Sequence, residues 1–404
     1  MSNFKLSELG EFKNGANYPK GSYGKGNKIV NVKDLFKGRF VDTQELDELK
    51  PDALKNKEKY FVTDGDILFA RSSLVRSGAG MCAMINQPQE NVLFCGFIIR
   101  YRVDKTKVYP LYLLYLLRSP KYRKLFTDNQ QTNITNINQD TLGAIEVDLP
   151  TDKHGNPDVE KQKKIVQALD YLDCKIELNK SICVELEMLQ KILYDYWFTQ
   201  FDFPDEEGKP YHSSGGIMEW NEQLKREIPK GWDVSTIGNI LTKAPNTTRI
   251  QTGEYLKAGR IPVIDQSTDY IAGYTNDENS VLASDAGYVV FGDHTRIVKY
   301  IRFPFARGAD GTQVLKTNTP CVPDELLYQI VKNVDLSNYG YARHFKFLKD
   351  TLAVIPNETV AKKYKQIVTP IYDKQVQLTF ENVELTKLRD WLLPMLMNGQ
   401  ATVE

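Results

Sequence analysis

The sequence predicts an α+β protein: one mixed α/β fold used twice as a pseudo-two-fold internal repeat, joined by two long helices that pair as an antiparallel coiled coil. Three observations lead there. Ile165, Leu169, Leu172, Ile176, Cys183, Leu186 and Leu193 follow alternating steps of 4 and 3, with Asn179 and Gln190 on two further steps. Ile367, Ile371, Leu378, Leu385, Leu388, Leu392 and Met395 follow the same pattern 202 positions later (367 − 165). Such stepping is a heptad seam, and two seams each preceded by a globular stretch point to duplication. The third observation is length: 404 residues suffice for two cores plus helices.

The elements follow in chain order. Residues 1–155 form the first globular domain, 156–200 the first helix, 201–229 a connector, 230–357 the second domain and 358–404 the second helix. In the first domain Asp64-Gly65-Asp66 turns into the strand Ile67–Ala70, and Val92–Ile99 reads as another buried strand. Pro110 opens a helix over Leu111–Leu117, and a last strand ends at Pro150. The second domain echoes this framing. Leu6-Ser7-Glu8-Leu9-Gly10 is matched by Val234-Ser235-Thr236-Ile237-Gly238, Gly65–Phe69 by Gly287–Phe291, and Asp140-Thr141-Leu142 by Asp350-Thr351-Leu352. The connector is acidic and turn-forming, with Pro204, Gly208, Pro210, Gly215 and Gly216.

Composition narrows the function classes. With 41% apolar residues the chain is globular, and it has neither an 18-residue apolar run nor a basic-then-apolar leader, so a cytoplasmic protein without membrane contact is expected. Five scattered cysteines and four separated histidines offer no zinc or disulfide pattern, so no metal is expected. Net charge is zero, yet residues 1–150 carry 22 Lys/Arg against 17 Asp/Glu, which places the positive charge in a globular part. Pro204-Asp205 with Glu207-Gly208-Lys209 mimics a nuclease motif, but carboxylates adjacent in one loop lack the strand-and-turn separation that lets them converge on a metal. Glycine-rich phosphate loops, nucleophile elbows, zinc-protease motifs and the amino-methyltransferase base clamp are absent from the sequence, so no catalytic residue is assigned.

What remains is a set of segments whose residue types suit either the reading of DNA or ordinary turn-rich connections with surface ion pairs. The segment Asp128–Asn136 is rich in amides, which hydrogen-bond bidentately to adenine, beside threonines whose methyls suit thymine. In the second domain Gly292-Asp293-His294-Thr295-Arg296, then Lys299, Arg302 and Arg307, and later Tyr339–His344, gather arginines among aromatics and turn residues. Arginine pairs with guanine or phosphate. The helices carry a second apolar stripe, Leu178, Ile182, Leu189, Ile192 and Tyr196 on one, Val376, Phe380, Val383 and Trp391 on the other. One intramolecular partner needs one stripe, so the second is expected to receive other subunits. A helix over 161–198 would be about 57 Å long, enough to hold two domains apart like a ruler.

At this point the whole chain resembles the specificity subunit of type I restriction-modification systems. The resemblance rests on Ile228-Pro229-Lys230-Gly231-Trp232, Gly65–Arg71, Gly292–Arg296, the stretch Leu172–Asn179 with its ending Tyr196-Trp197-Phe198, and Leu388–Gly399. Cys174 departs from the pattern, where relatives often carry a polar residue. The resemblance implies two target recognition domains joined by two helical spacers, a non-catalytic chain that binds double-stranded DNA with a bipartite target. Two modification subunits, bringing S-adenosylmethionine and adenine methylation, would dock on the helices, and motor-nuclease subunits would join for cleavage; this chain would hold no cofactor. By motif position, the DNA contacts expected are Arg71, Ser72, Arg76, Gln131, Asn133 and Asn136 in the first domain, and His294, Thr295, Arg296, Arg302, Arg343 and His344 in the second. Two other readings share these features: the specificity subunit of a related enzyme with fused cutting and methylation, and a coiled-coil adaptor that binds only protein.

Overall fold

The computed structural model describes residues 1–73, 78–127, 135–308, 311–340 and 343–401, with backbone only at 72, 73, 127, 135, 136 and 243. The chain divides into two compact units, Met1–Ile176 with Glu384–Glu404, and Glu177–Val383. Among the described residues no helix is long and apolar enough to cross a membrane.

The first unit opens with β1 (Ser2–Lys5), α1 (Leu6–Leu9), β2 (Gly10–Asn14), β3 (Tyr23–Val30) and β4 (Asp47–Leu49). There follow β5 (Ile67–Ala70), β6 (Ser72–Ser73), β7 (Cys82–Met84), β8 (Leu93–Phe94) and β9 (Ile98–Val103). Helices α2 (Pro110–Arg118) and α3 (Pro120–Thr127), β10 (Thr135–Asn136), α4 (Gln139–Gly143) and β11 (Glu146–Leu149) lead into the long α5 (Val159–Tyr194). One sheet has the order β2-β9-β5-β7, a second β4-β3-β8, and β1 pairs antiparallel with β11. Strand β5 and helix α2 are apolar on every side because both are buried: Phe69, Tyr112 and Leu113 are fully covered, as is Tyr101 of β9, with Ile165 and Leu169 of α5 packed on the same core.

The second unit begins with the rest of α5, a π-helical turn over Asp195–Thr199, and the hairpin β12 (Met218–Asn221) and β13 (Arg226–Pro229). Then come β14 (Asp233–Thr236), β15 (Leu241–Lys243), β16 (Ile261–Ile264), β17 (Gly273–Thr275), β18 (Val281–Leu282) and β19 (Tyr288–Gly292). Strands β20 (Val298–Ile301), β21 (Phe305–Arg307) and β22 (Thr312–Thr317), helices α6 (Asp324–Lys332) and α7 (His344–Asp350), and β23 (Leu352–Ile355) end at α8 (Glu358–Met397). The sheet β15-β22-β19-β20 answers β2-β9-β5-β7, and β14 with β23 answers β1 with β11. A parallel strand pairing recurs as well, Ile29 with Leu93 and Val263 with Ala306. Gly65 (φ +86°) and Gly287 (φ +88°) make the same turn before β5 and β19, a conformation that favours a residue without Cβ.

Four expectations need correction. The segment Val92–Ile99 is two strands, because the chain turns at Cys95 (Ile98 N–H to Cys95 O, 2.9 Å) and leaves one sheet for another. The connector is more than turns: Phe201 and Phe203 are buried against Trp232, with Phe203 stacked on it at 4.9 Å. The echo of Asp140-Thr141-Leu142 in Asp350-Thr351-Leu352 is out of register. Leu6 N–H bonds to Ile145 O and Ile237 N–H to Thr351 O, so the structural counterpart of buried Leu142 is buried Leu348.

The helical seams are likewise offset differently from the 202-residue displacement. Asp158 and Asn357 are the equivalent caps, each carboxylate or amide oxygen accepting from the backbone N–H three residues on, Lys161 and Val360. Counted from these caps, Ile165 corresponds to Tyr364 and Leu169 to Val368, all buried. Ile367 therefore falls one residue out of phase and is 45% exposed, as Leu388 is at 43%. The loop Thr151–Pro157, closed by a bridge between its ends, has no counterpart between Ile355 and Asn357, so the offset drops from 206 at the strands (352 − 146) to 199 at the caps (357 − 158). Within the second unit α5 and α8 run antiparallel: Asn179 donates to Glu381 and Asn382, both 2.9 Å, and Gln190 farther along α5 donates to Gln375 at 2.7 Å.

Candidate nucleic-acid interface

In the first unit β5 delivers Arg71 to the surface, and two backbone bonds hold it there. Its N–H donates to Phe97 O at 2.9 Å, and its carbonyl accepts from Ile137 N at 2.8 Å. Ser72 and Ser73 then pair with Asn136 and Thr135 in a two-residue antiparallel ladder. Arg71, Ser72 and Asn136, far apart in sequence, are thus brought to one place, with Arg71 exposed beside Phe97, which is 65% exposed. Arg76, Gln131 and Asn133 lie outside the described residues.

The second unit makes the same two bonds with different residues. Asp293 N–H donates to Gly311 O at 2.7 Å, and Asp293 O accepts from His344 N at 2.9 Å. After Gly292 the chain makes a tight turn, Arg296 N–H to Gly292 O at 2.8 Å, with Arg296 in the left-handed region (φ +61°). His294, Thr295 and Arg296 are exposed on this turn. Gln266 braces it, its side-chain oxygen accepting from His294 N at 3.2 Å and its carbonyl from Thr295 Oγ1 at 2.8 Å. Arg343 is exposed next to the start of α7, and Tyr339 stacks on Phe347.

Two expected contacts face inward. Arg302 donates to Glu325 at 2.7 Å and Asp373 at 2.8 Å, joining α6 and α8, so its charge is engaged inside the unit. His344 is 3% exposed, with ring nitrogens 2.9 Å from Asp293 O and 3.0 Å from Tyr339 O, and it holds the loop instead of meeting solvent. Lys299 also turns inward, to the carbonyls of Asp265 and Asp269, and burial pulls its pKa down. Sequence reasoning missed Phe97, hidden in an apolar run, the brace Gln266, and the buried carboxylate of Asp293, whose Oδ1 caps Phe345 N at 2.8 Å. An Asp directly after a strand gave no signal beyond its place in the motif.

The expected partner stripe divides in the same way. Leu178 (55%), Leu189 (42%) and Tyr196 (37%) are exposed along α5 and the turn that follows it, as are Val184, Met188 and Ile192, and Trp391 (60%) is exposed on α8. Ile182, Val376 and Val383 are half-buried, and Phe380 is taken by Phe303, ring to ring at 4.9 Å. Several large apolar side chains left exposed along α5 suit an interaction surface.

Residues 1–188 match the family described as type I restriction modification DNA specificity domain. The type I restriction enzyme MjaIX specificity subunit of Methanocaldococcus jannaschii is 24% identical over 326 aligned positions, covering 75% of this chain and 71% of that one. The HindI specificity subunit of Haemophilus influenzae is 21% identical over 443 positions, covering 92% and 94%. A crystal structure of the S subunit of a type I restriction-modification system from M. genitalium superposes with a TM-score of 0.60 at 17% identity, covering 98% of this chain and 95% of that one, a likeness of fold.

Proposed function

We propose, for a chain whose residues 1–188 belong to the family of type I restriction modification DNA specificity domains, that it is the sequence-reading subunit of such a system. The observation that carries this is the doubled frame. Arg71 and Asp293 are held by the same pair of backbone bonds, and each frame presents different loop residues to solvent. A repeated scaffold with divergent exposed loops suits a bipartite target in double-stranded DNA, each unit reading one half. The chain acts without catalytic residues of its own. Two modification subunits dock on the exposed apolar residues of the long helices and bring S-adenosylmethionine, with adenine as the methyl acceptor. Motor-nuclease subunits join for restriction, in the cytoplasm.

The test is methylation mapping in cells that express the chain with its modification subunit, by sequencing that detects N6-methyladenine. A split motif with a fixed gap is the expected result. Methylation without a defined motif would overturn the reading, as would an unchanged motif when this chain is deleted.

A further inference from the structure

Two arginines of the second unit have no counterpart in the first. The parallel bridge of Ile250 with Gly308 matches that of Ala16 with Cys95, and Ile264 opposite Arg307 matches Val30 opposite Phe94. Arg307 therefore stands where the first unit has buried Phe94, and Arg249 where it has Gly15. Neither arginine has an ion-pair partner among the described residues. The carboxylate that follows β16, Asp265, is occupied by Tyr255 Oη at 3.2 Å and by the N–H and hydroxyl of Ser267 at 2.9 and 2.6 Å.

Arg307 is half-buried. One terminal nitrogen donates to Thr312 O, while its buried Nε has no hydrogen-bond partner. Burial, then the charge of Arg249, pulls its pKa below the ordinary arginine value. Arg249 precedes Ile250, whose N–H donates to Arg307 O at 3.0 Å, so the two arginines sit side by side in the backbone pairing, and neighbouring like charges with an unpartnered donor favour an anion. The place is next to the exposed turn: Gly311, adjoining Thr312, accepts from Asp293 N, and a Cβ on Gly311 would come 2.8 Å from the His294 ring.

We propose that Arg249 and Arg307 form a clamp for a backbone phosphate of duplex DNA, present in the second unit alone. The clamp rests on the DNA-reading function above and adds how that unit is positioned on its half-site. A phosphate contact fixes register without reading sequence. It leaves choice of bases to the turn His294–Arg296.

The experiment measures binding of the chain, assembled with its modification subunit, to a fluorescent duplex carrying the mapped motif and to a scrambled duplex. Salt is varied from about 50 to 200 mM. With Arg249→Ala and Arg307→Gln combined, affinity for both duplexes should fall by a similar factor. The slope of log affinity against log salt should shrink by about 0.9 for each phosphate that is no longer neutralised. The methylated motif should stay the same. Arg249→Ala alone, at an exposed position, should reproduce part of the slope change if the Arg307 variant misfolds. An unchanged slope overturns the clamp, and so does an altered motif with an unchanged slope, which would mean base reading. Failure of the wild-type complex to prefer its motif duplex would instead remove the DNA-reading function, and the clamp with it.

Discussion

The backbone carbonyl of Asp293 meets His344 twice: it accepts from the amide nitrogen at 2.9 Å, and ring Nδ1 lies 2.9 Å from it. The opposite nitrogen of the ring lies 3.0 Å from Tyr339 O. Both ring nitrogens thus face carbonyl oxygens, which only accept; a neutral imidazole satisfies one of them, an imidazolium both. In either form the ring ties the segment before α7 to the turn that bears Arg296. His344→Ala should cost roughly 1–3 kcal/mol in chemical denaturation, because buried carbonyls lose their donor. It should also weaken DNA binding through one half of the target, read by methylation frequency at single-base variants of each half. Equal weakening of both halves would contradict the assignment.

Asp324 gives a pH dependence with a definite sign. It is 2% exposed, its carboxylate accepts from Thr317 N at 2.9 Å, and burial lifts its pKa from 3.8 to about 6. Between those values the folded chain binds a proton that the unfolded chain has lost, so stability falls as pH rises through this window. Above it the penalty stays constant, and below 3.8 it vanishes. Asp324→Asn keeps an acceptor for Thr317 and removes the charge. The variant should be more stable than wild type by about 1–3 kcal/mol near pH 7.5, the margin shrinking to nothing near pH 4. Denaturant melts at several pH values check this, and a margin independent of pH would refute it.

The doubled fold was legible because its signals are local: a glycine turn before a buried strand, Pro110 opening a helix, and long stepping patterns of apolar residues. Phase was harder. The 4-and-3 pattern around Ile367 is nearly as good one residue away, and only the caps Asp158 and Asn357 settle that Val368 is the buried residue. Charge type also misled. Arg302 and Arg296 look alike in a sequence, but whether a guanidinium meets a carboxylate depends on where α6 and α8 place Glu325 and Asp373. The same limit applies to His344, whose partners are main-chain oxygens that any residues would provide.

Arg71 and Arg296 should prove separable. Arg296 has φ +61° and donates from its side chain to Leu336 O at 3.2 Å, so Arg296→Gly removes the guanidinium and relieves backbone strain. Its melting point should hold or rise slightly, by an amount equivalent to about 0.5–1 kcal/mol. DNA binding should weaken by about 1–3 kcal/mol, with relaxed specificity in one half-site. Arg71→Ala should do the same in the other half. If both variants disturb the same half, the assignment of one half to each unit is wrong.

The buried amides between α5 and α8 should trade stability for register. Asn179 is fully buried yet donates to Glu381 and Asn382, and Gln190, 1% exposed, donates to Gln375. Gln375 in turn donates to Cys183 O at 3.0 Å, so the second contact spans a side chain and the backbone of α5. A polar pair inside an apolar seam lowers stability relative to leucine but permits only the alignment in which its partners meet. Asn179→Ala removes a donor from Glu381 and Asn382 and should destabilise by roughly 1–3 kcal/mol. Asn179→Leu with Gln190→Leu should melt no lower than wild type, yet allow the helices to slip. A disulfide probe, cysteines placed at Gln190 and Gln375 against cysteines one turn away at Gln190 and Thr379, distinguishes the states. In the chain with Asn179 intact, crosslinking should favour the first pair strongly; with Asn179→Leu the two pairs should approach equal yield. Retention of the wild-type preference would show that apolar packing alone sets the alignment.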